Sequence, residues 1–247
     1  MKINVLEKVN INNSDQWLLI RSKKENAPLI LHVQAGPGLP IIPEADTMEK
    51  LLNLEEHFIV VYWDQRGCGK SFNKNIDPKS INLSQMTDDI IECTKYLLNK
   101  FHRDRGILAG YSIGATISLM AAKRNSSIFN HLFLAGIDID IPVANKYALE
   151  YSIMKAKELS KSSLLKQIIK LNNRPIIESK VFQERAKLLA DLGGIKTGSS
   201  YKLLLMSTIK NMLTSKAYSF KDILKTIKGT ENPKGICRFR IMPIYYS

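Results

Sequence analysis

The chain has 247 residues, 45% of them hydrophobic, and a formal net charge of +13. It is long enough to bury a large core as one domain, or as one domain carrying an insertion, and no apolar run approaches the roughly 18 residues of a membrane span. The charge is local: residues 1–150 hold 17 Lys+Arg against 17 Asp+Glu, while residues 151–247 hold 19 against 6.

Lysines 155, 157, 161, 166 and 170 alternate with Ile, Leu and Met at helical spacing. That is the solvated face of amphipathic helices, and few aromatics are interleaved for base stacking, so nucleic acid is not an expected partner. The start, MKINVLEKVN, carries Glu7 and has no apolar h-region, so it does not read as a signal peptide. Cys68, Cys93 and Cys237 have no metal-ligand spacing and form no even framework. A reduced, cytoplasmic compartment with no metal, no cofactor and no membrane is the expectation.

In chain order, residues 2–10 and 16–22 read as paired strands around the polar turn Asn12-Asn13-Ser14. Pro28–Gln34 (PLILHVQ) and His57–Trp63 (HFIVVYW) are continuous apolar runs, suited to strands covered on both faces. Helical spacing runs over Glu44–Leu54 and, strongly, over Asn82–Phe101, where Asn82 can cap. Arg105–Tyr111 predicts a strand, Ile113–Arg124 a helix and Phe129–Ile137 another strand. The alternation predicts a doubly wound, mostly parallel α/β sheet. From about Pro142 the pattern turns wholly helical, over 145–161, 163–171, 178–192 and 199–228. This reads as a cap inserted at the sheet's carboxyl edge, where α/β folds bind ligands. One strand-like piece, Cys237–Tyr246, follows.

Three constellations carry chemistry. Gly110-Tyr111-Ser112-Ile113-Gly114 lies between a strand and a helix. G-x-S-x-G in that setting is a nucleophile elbow, which stands Ser112 out at the sheet edge. Gly36-Pro37-Gly38 follows a strand directly. Its backbone N–H of Gly36, with that of Ile113, can form an oxyanion hole. Asp64-Gln65-Arg66-Gly67-Cys68-Gly69-Lys70-Ser71 ends in G-K-S, but Asp64 holds the place of a P-loop's first glycine, which argues against nucleotide binding. Asp64 and Arg66 are expected instead to pin that loop beside the site, by an ion pair and backbone hydrogen bonds.

The glycine-proline-glycine turn, WDQRGCGKS and GYSIG, in this order and spacing, resemble the proline iminopeptidase-like branch of the α/β-hydrolases. That branch usually writes the turn H-G-G-P-G, where this chain has Gln34-Ala35-Gly36-Pro37-Gly38. LADLGG at 189–194 and YSFKD at 218–222 are similar to segments of the family's cap. The resemblance implies a serine hydrolase that releases N-terminal residues from small peptides, or cleaves a related amide or ester, without metal or cofactor. The pattern along the chain gives the expected division: a core at 1–140, a helical cap at 141–229 and a remnant tail at 230–247 able to pair as an edge strand.

The resemblance also implies an acid and a histidine after the cap, and here the chain departs. Its histidines are 32, 57, 102 and 131, all before the cap and each read as structural or superficial. Asp138 and Asp140 end a strand at the correct edge and could serve as an acid in a variant arrangement, but an acid without a histidine orients nothing. Residues 241–246 resemble the start of the post-cap strand, arrived at too early. A deletion before an early stop, or a frameshift, would produce this, leaving the last strands and closing helix missing. The expectation is therefore an impaired hydrolase or a non-catalytic binding remnant, with self-association through an open sheet edge.

Overall fold

The computed structural model describes residues 2–34, 39–137, 139–172 and 179–231. The chain divides into two units, one holding the residues up to 137 together with 211–231, the other holding residues 139–210.

The first unit is built on six strands. β1 (Ile3–Ile11) and β2 (Ser14–Ser22) form a hairpin closed by the pair Ile11 and Ser14. Asn12 and Asn13 have φ of 47° and 59°. Two successive left-handed residues make the turn whose twist matches the flanking strands, and asparagine tolerates that region. β3 (Leu29–Val33) and β4 (Ile59–Asp64) are buried at every position, as their continuous apolar runs predict. Between them lies α1 (Ala45–Leu52), ended by Asn53 in the left-handed region. α2 (Leu83–Phe101) starts where Asn82 caps it, its side chain accepting the Gln85 N–H at 2.9 Å. β5 (Gly106–Tyr111), α3 (Ile113–Arg124) and β6 (Phe129–Ala135) follow.

The sheet order is β1-β2-β4-β3-β5-β6, with β1, β2 and β4 antiparallel neighbours and the remaining pairs parallel. β3 leads away to β4 on one side, and β5 leads to β6 on the other. Their carboxyl ends therefore flank the topological switch point, the crevice where sheets of this kind bind ligands. Ile30, Val60, Tyr62 and Ile107 share one sheet face and pack with Ile42, Ala45, Met212, Tyr218 and Ile223. β6 is the last strand of the described sheet, and Phe133 on it is 59% exposed.

The second unit contains α4 (Ile141–Glu158), α5 (Ser162–Asn172) and α6 (Ser179–Asp191), packed around Ala156, Ile168, Leu171, Val181, Leu188 and Leu192. The helix expected over 199–228 is two: α7 (Tyr201–Thr214) and α8 (Phe220–Glu231). The break comes at Ser215–Ser219. The Ala217 N–H turns to Ser215 Oγ at 3.3 Å, and Ser219 caps α8 by accepting the Asp222 N–H at 3.3 Å. The segment expected as one cap, 141–229, is accordingly divided: from Asn211 onward it groups with the sheet, because Tyr218 and Ile223 are buried in the sheet's core. The expected tail strand at 237–246, and Cys237 with it, lie outside the described residues. Among the described residues no helix is long and apolar enough to cross a membrane.

Candidate active site

Ser112 stands between the last residue of β5 and the first of α3, with φ 55° and ψ −127°. A non-glycine residue held there costs about 1–3 kcal/mol and persists only where its surroundings over-determine it. They do so here. Its N–H donates to the Ala135 carbonyl at 2.8 Å, and its own carbonyl accepts from the Ala115 and Thr116 N–H groups at 2.8 and 3.2 Å. The two elbow glycines are needed for close approach. A Cβ on Gly110 would lie 2.6 Å from the Gly114 oxygen, and one on Gly114 would overlap the carbonyl oxygens of Val33 and Gln34. Ile113 opens α3, where N–H groups have no intrahelical acceptor and can serve an anion. Gly36, the other expected donor, lies outside the described residues.

In the loop after β4, Asp64 and Arg66 do not form the expected ion pair with each other. Asp64 is fully buried and accepts at one oxygen from the Ile41 and Ile42 N–H groups, at 3.0 and 3.1 Å. Its second oxygen accepts from the Lys70 N–H at 3.0 Å and from the Tyr218 hydroxyl. Burial pushes the Asp64 carboxyl above its ordinary range, against the pull of those four donors. Arg66 turns the other way and forms a bidentate pair with Asp89 of α2, at 2.7 and 2.8 Å, while also donating to the Asn12 carbonyl. An arginine fork fits a carboxylate better than a point charge would, and both groups are buried. Gln34, at the end of β3, accepts the Gln65 N–H at 3.3 Å, and its amide nitrogen lies 3.0 Å from the Cys68 sulfur.

Besides Asp89, three partners of this loop escaped the sequence reading: Asp222, Trp17 and Tyr218. Lys70 pairs with Asp222 at 2.7 Å and stands over the Trp17 and Tyr218 rings, 4.8 and 5.4 Å from their centroids. Burial raises the Asp222 carboxyl, but Lys70 and Ser219 outweigh it and hold the group below its ordinary value. The available signal was Ser219-x-x-Asp222, the spacing of a capping box inside a stretch otherwise read as one helix.

Among the described residues no histidine stands at Ser112. His131 on β6 comes four residues before Ala135, about 13 Å along the strand from the level of the elbow. His32 pairs with Ala109, about 10 Å short of it, and is buried in a stack on Tyr62. His57 precedes β4, and His102 terminates α2 in the left-handed region, both at the opposite sheet edge. Asp140 caps α4, accepting the Val143 N–H at 3.0 Å, and Asp138 lies outside the described residues.

Comparison with known proteins identifies the family and the fold. Residues 48–191 match the family model described as serine aminopeptidase, S33. Probable aminopeptidase YbaC of Bacillus subtilis is 30% identical over 174 residues, covering 70% of this chain and 54% of that protein. A Mycoplasma genitalium relative is 27% identical over 139 residues, 55% of this chain and 41% of its own. The chain thus spans about half the length of the curated relatives it matches. The crystal structure of the proline iminopeptidase-related protein of Thermus thermophilus superposes with a TM-score of 0.50 at 18% identity, over 87% of this chain and 75% of that one. At that identity the likeness shows the fold alone.

Proposed function

Because the chain belongs to the serine aminopeptidase S33 family of α/β-hydrolases, we propose that Ser112 is its nucleophile. The N–H groups of Ile113 and Gly36 form the oxyanion hole, and Asp64 and Arg66 support the loop beside it. The substrate class is a short peptide or related small amide or ester, attacked at the N-terminal residue's carbonyl. The single observation that carries the reading is the Ser112 backbone, strained at a strand–helix junction on the switch-point edge. No cofactor enters.

Among the described residues no histidine is placed to activate the serine. A serine hydroxyl is a weak nucleophile without an adjacent base, and all four histidines are placed elsewhere. Losing the histidine of a triad costs on the order of 10⁶ in turnover, while an oxyanion hole and binding still leave roughly 10³–10⁴ over water. Turnover by this chain is therefore barely detectable. The second reading, a non-catalytic binding module of the same fold, is favoured by the same placement of the histidines. A second copy pairing along β6 completes the proposal for partners: the strand has no charged residue to block its edge.

Fluorophosphonate labelling and prolyl-arylamide hydrolysis decide between these readings, each measured with Ser112→Ala beside it. Slow labelling lost in Ser112→Ala supports the impaired hydrolase. No Ser112-dependent labelling leaves the binding module. Fast Ser112-dependent labelling would mean that a base reaches the serine, and the impairment would be wrong.

A further inference from the structure

The amino ends of β3, β5 and β6 border an open cleft of about 440 Å³, lined by Asn26, Pro28, Arg103, Asp104, Arg105 and Asn130. Ser112 follows the other end of β5, about 20 Å along the strand from Gly106. The cleft is therefore a separate place from the candidate active site.

Its walls are fixed by the backbone. Arg103 donates to four carbonyls: Nε to Ala27 at 3.2 Å, Nη2 to Glu25 at 3.0 Å, and Nη1 to Phe101 and His102 at 2.8 and 3.1 Å. It thereby ties the end of α2 to the chain entering β3. The Pro28 carbonyl accepts the Ile59 N–H at 2.8 Å, which anchors that chain to the start of β4. At β6 the register slips: Gly106 pairs with Phe129 and Ile107 with His131, which leaves Asn130 as the extra residue. A bulge of this kind re-aims a side chain and recurs beside functional sites. Here the residue it releases is one that lines the cleft.

The lining carries both signs of charge. The carbonyls around Arg103, with the negative end of α2, offset part of its charge. Asp104 and Arg105 are exposed. Among the described residues no ion pair takes the Arg105 guanidinium or the Asp104 carboxylate. Asn26 and Asn130 add two amides, each able to donate and to accept. An arginine fork matches a carboxylate, and the aspartate beside it matches an ammonium group. A phosphate would satisfy Arg105 but meet the like charge of Asp104.

We propose that this cleft binds a small zwitterion, a free α-amino acid, with its carboxylate on Arg105 and its ammonium group on Asp104. Asn26 and Asn130 supply further hydrogen bonds. Walls already fixed need little ordering on binding. The charged groups face water, so their attraction is screened and the affinity is in the millimolar range. This binding and the Ser112 reading are independent of each other.

The test is an NMR titration of the whole chain with L-alanine. It is read at the side-chain amides of Asn26 and Asn130, with that of Asn82, at the other end of α2, as reference. Saturable shifts are expected at Asn26 and Asn130 and not at Asn82. N-acetyl-L-alanine lacks the ammonium group and L-alaninamide lacks the carboxylate; each, like inorganic phosphate, should bind at least about fivefold more weakly. Arg105→Gln should weaken L-alanine binding about tenfold, and Asp104→Asn should erase most of the preference over N-acetyl-L-alanine. Both positions are exposed, so both variants should melt close to the parent. Ser112→Ala should bind L-alanine as the parent does. Absence of saturable shifts at Asn26 and Asn130, equal binding of phosphate or N-acetyl-L-alanine, or unchanged affinity in Arg105→Gln would overturn the proposal. Reaction at Ser112 plays no part in the readout, so failure here leaves the proposed function standing.

Discussion

β4 and β6 are both mostly apolar and end in opposite conditions. IVVYWD has every residue buried, with β2 and β3 on its two edges. FNHLFLA has Phe129 buried, Phe133 more than half exposed and, among the described residues, β5 on one edge only. Both strands are apolar, and both are parallel to a neighbour. What differs is how much of the sheet continues past them and how many polar anchors gather at their ends. β4 runs into the loop where Asp64 and Arg66 each find buried partners. β6 runs into Gly136, at φ 60°. An apolar strand is stabilised by its cover, and its composition alone does not say whether it has one.

The comparison can be broken most directly at the end of β4. Arg66→Ala leaves Asp89 buried without its fork, and breaking such a pair costs about 3–5 kcal/mol. Urea unfolding should show that loss, with Arg66→Ala and Asp89→Asn far from additive. A loss under about 1 kcal/mol would mean that water reaches the pair.

The next effect is pH-dependent and lies at the β3–β4 seam. Burial lowers the His32 pKa to about 4, against an ordinary value of 6.5. The folded state therefore holds the ring neutral while the unfolded chain protonates it first. Stability is full above pH 6.5 and falls as pH drops toward 4, by about 3 kcal/mol from this group. His32→Leu should flatten that part of the stability profile. An unchanged profile between pH 6.5 and 4 would show that the ring is not desolvated in solution.

Smaller effects separate centre from edge. Val61→Ala, at a fully buried site on β4, should cost about 2 kcal/mol through lost burial and the space left behind. Phe133→Lys on β6 should change stability by less than about 0.5 kcal/mol, since the ring is mostly in water already. Its expected signature is in sedimentation instead: the charged edge shifts the chain toward monomer. A monomeric parent would remove β6 as a self-association surface, and a large stability loss in Phe133→Lys would show that the strand is covered after all.

Much of the site was legible because its rules are local. The elbow is spelled by two glycines that the backbone needs at fixed offsets from Ser112, and the Asn82 cap by one side chain three residues from its donor. The loop after β4 was legible in part. That Asp64 and Arg66 hold it in place could be read; that they do so through Tyr218 and Asp89 could not, because those partners are 154 and 23 residues away. The break at Ser215–Ser219 was missed for a related reason. Helical periodicity continues across it on both sides, and the turn exists because Tyr218 is drawn into the sheet's core.

By itself the sequence determined the alternation of strands and helices, the parallel sheet and the identity of the candidate nucleophile, each through periodicity or spacing within a few residues; the family entered as a resemblance carried by three motifs in order. The tertiary structure decided that residues from 211 onward group with the sheet, which carboxylate each cation takes, and that four histidines all stand away from Ser112. Those outcomes depend on pairings between distant segments, whose free energy is set by burial and by the exclusion of water, and neither exists until the segments meet.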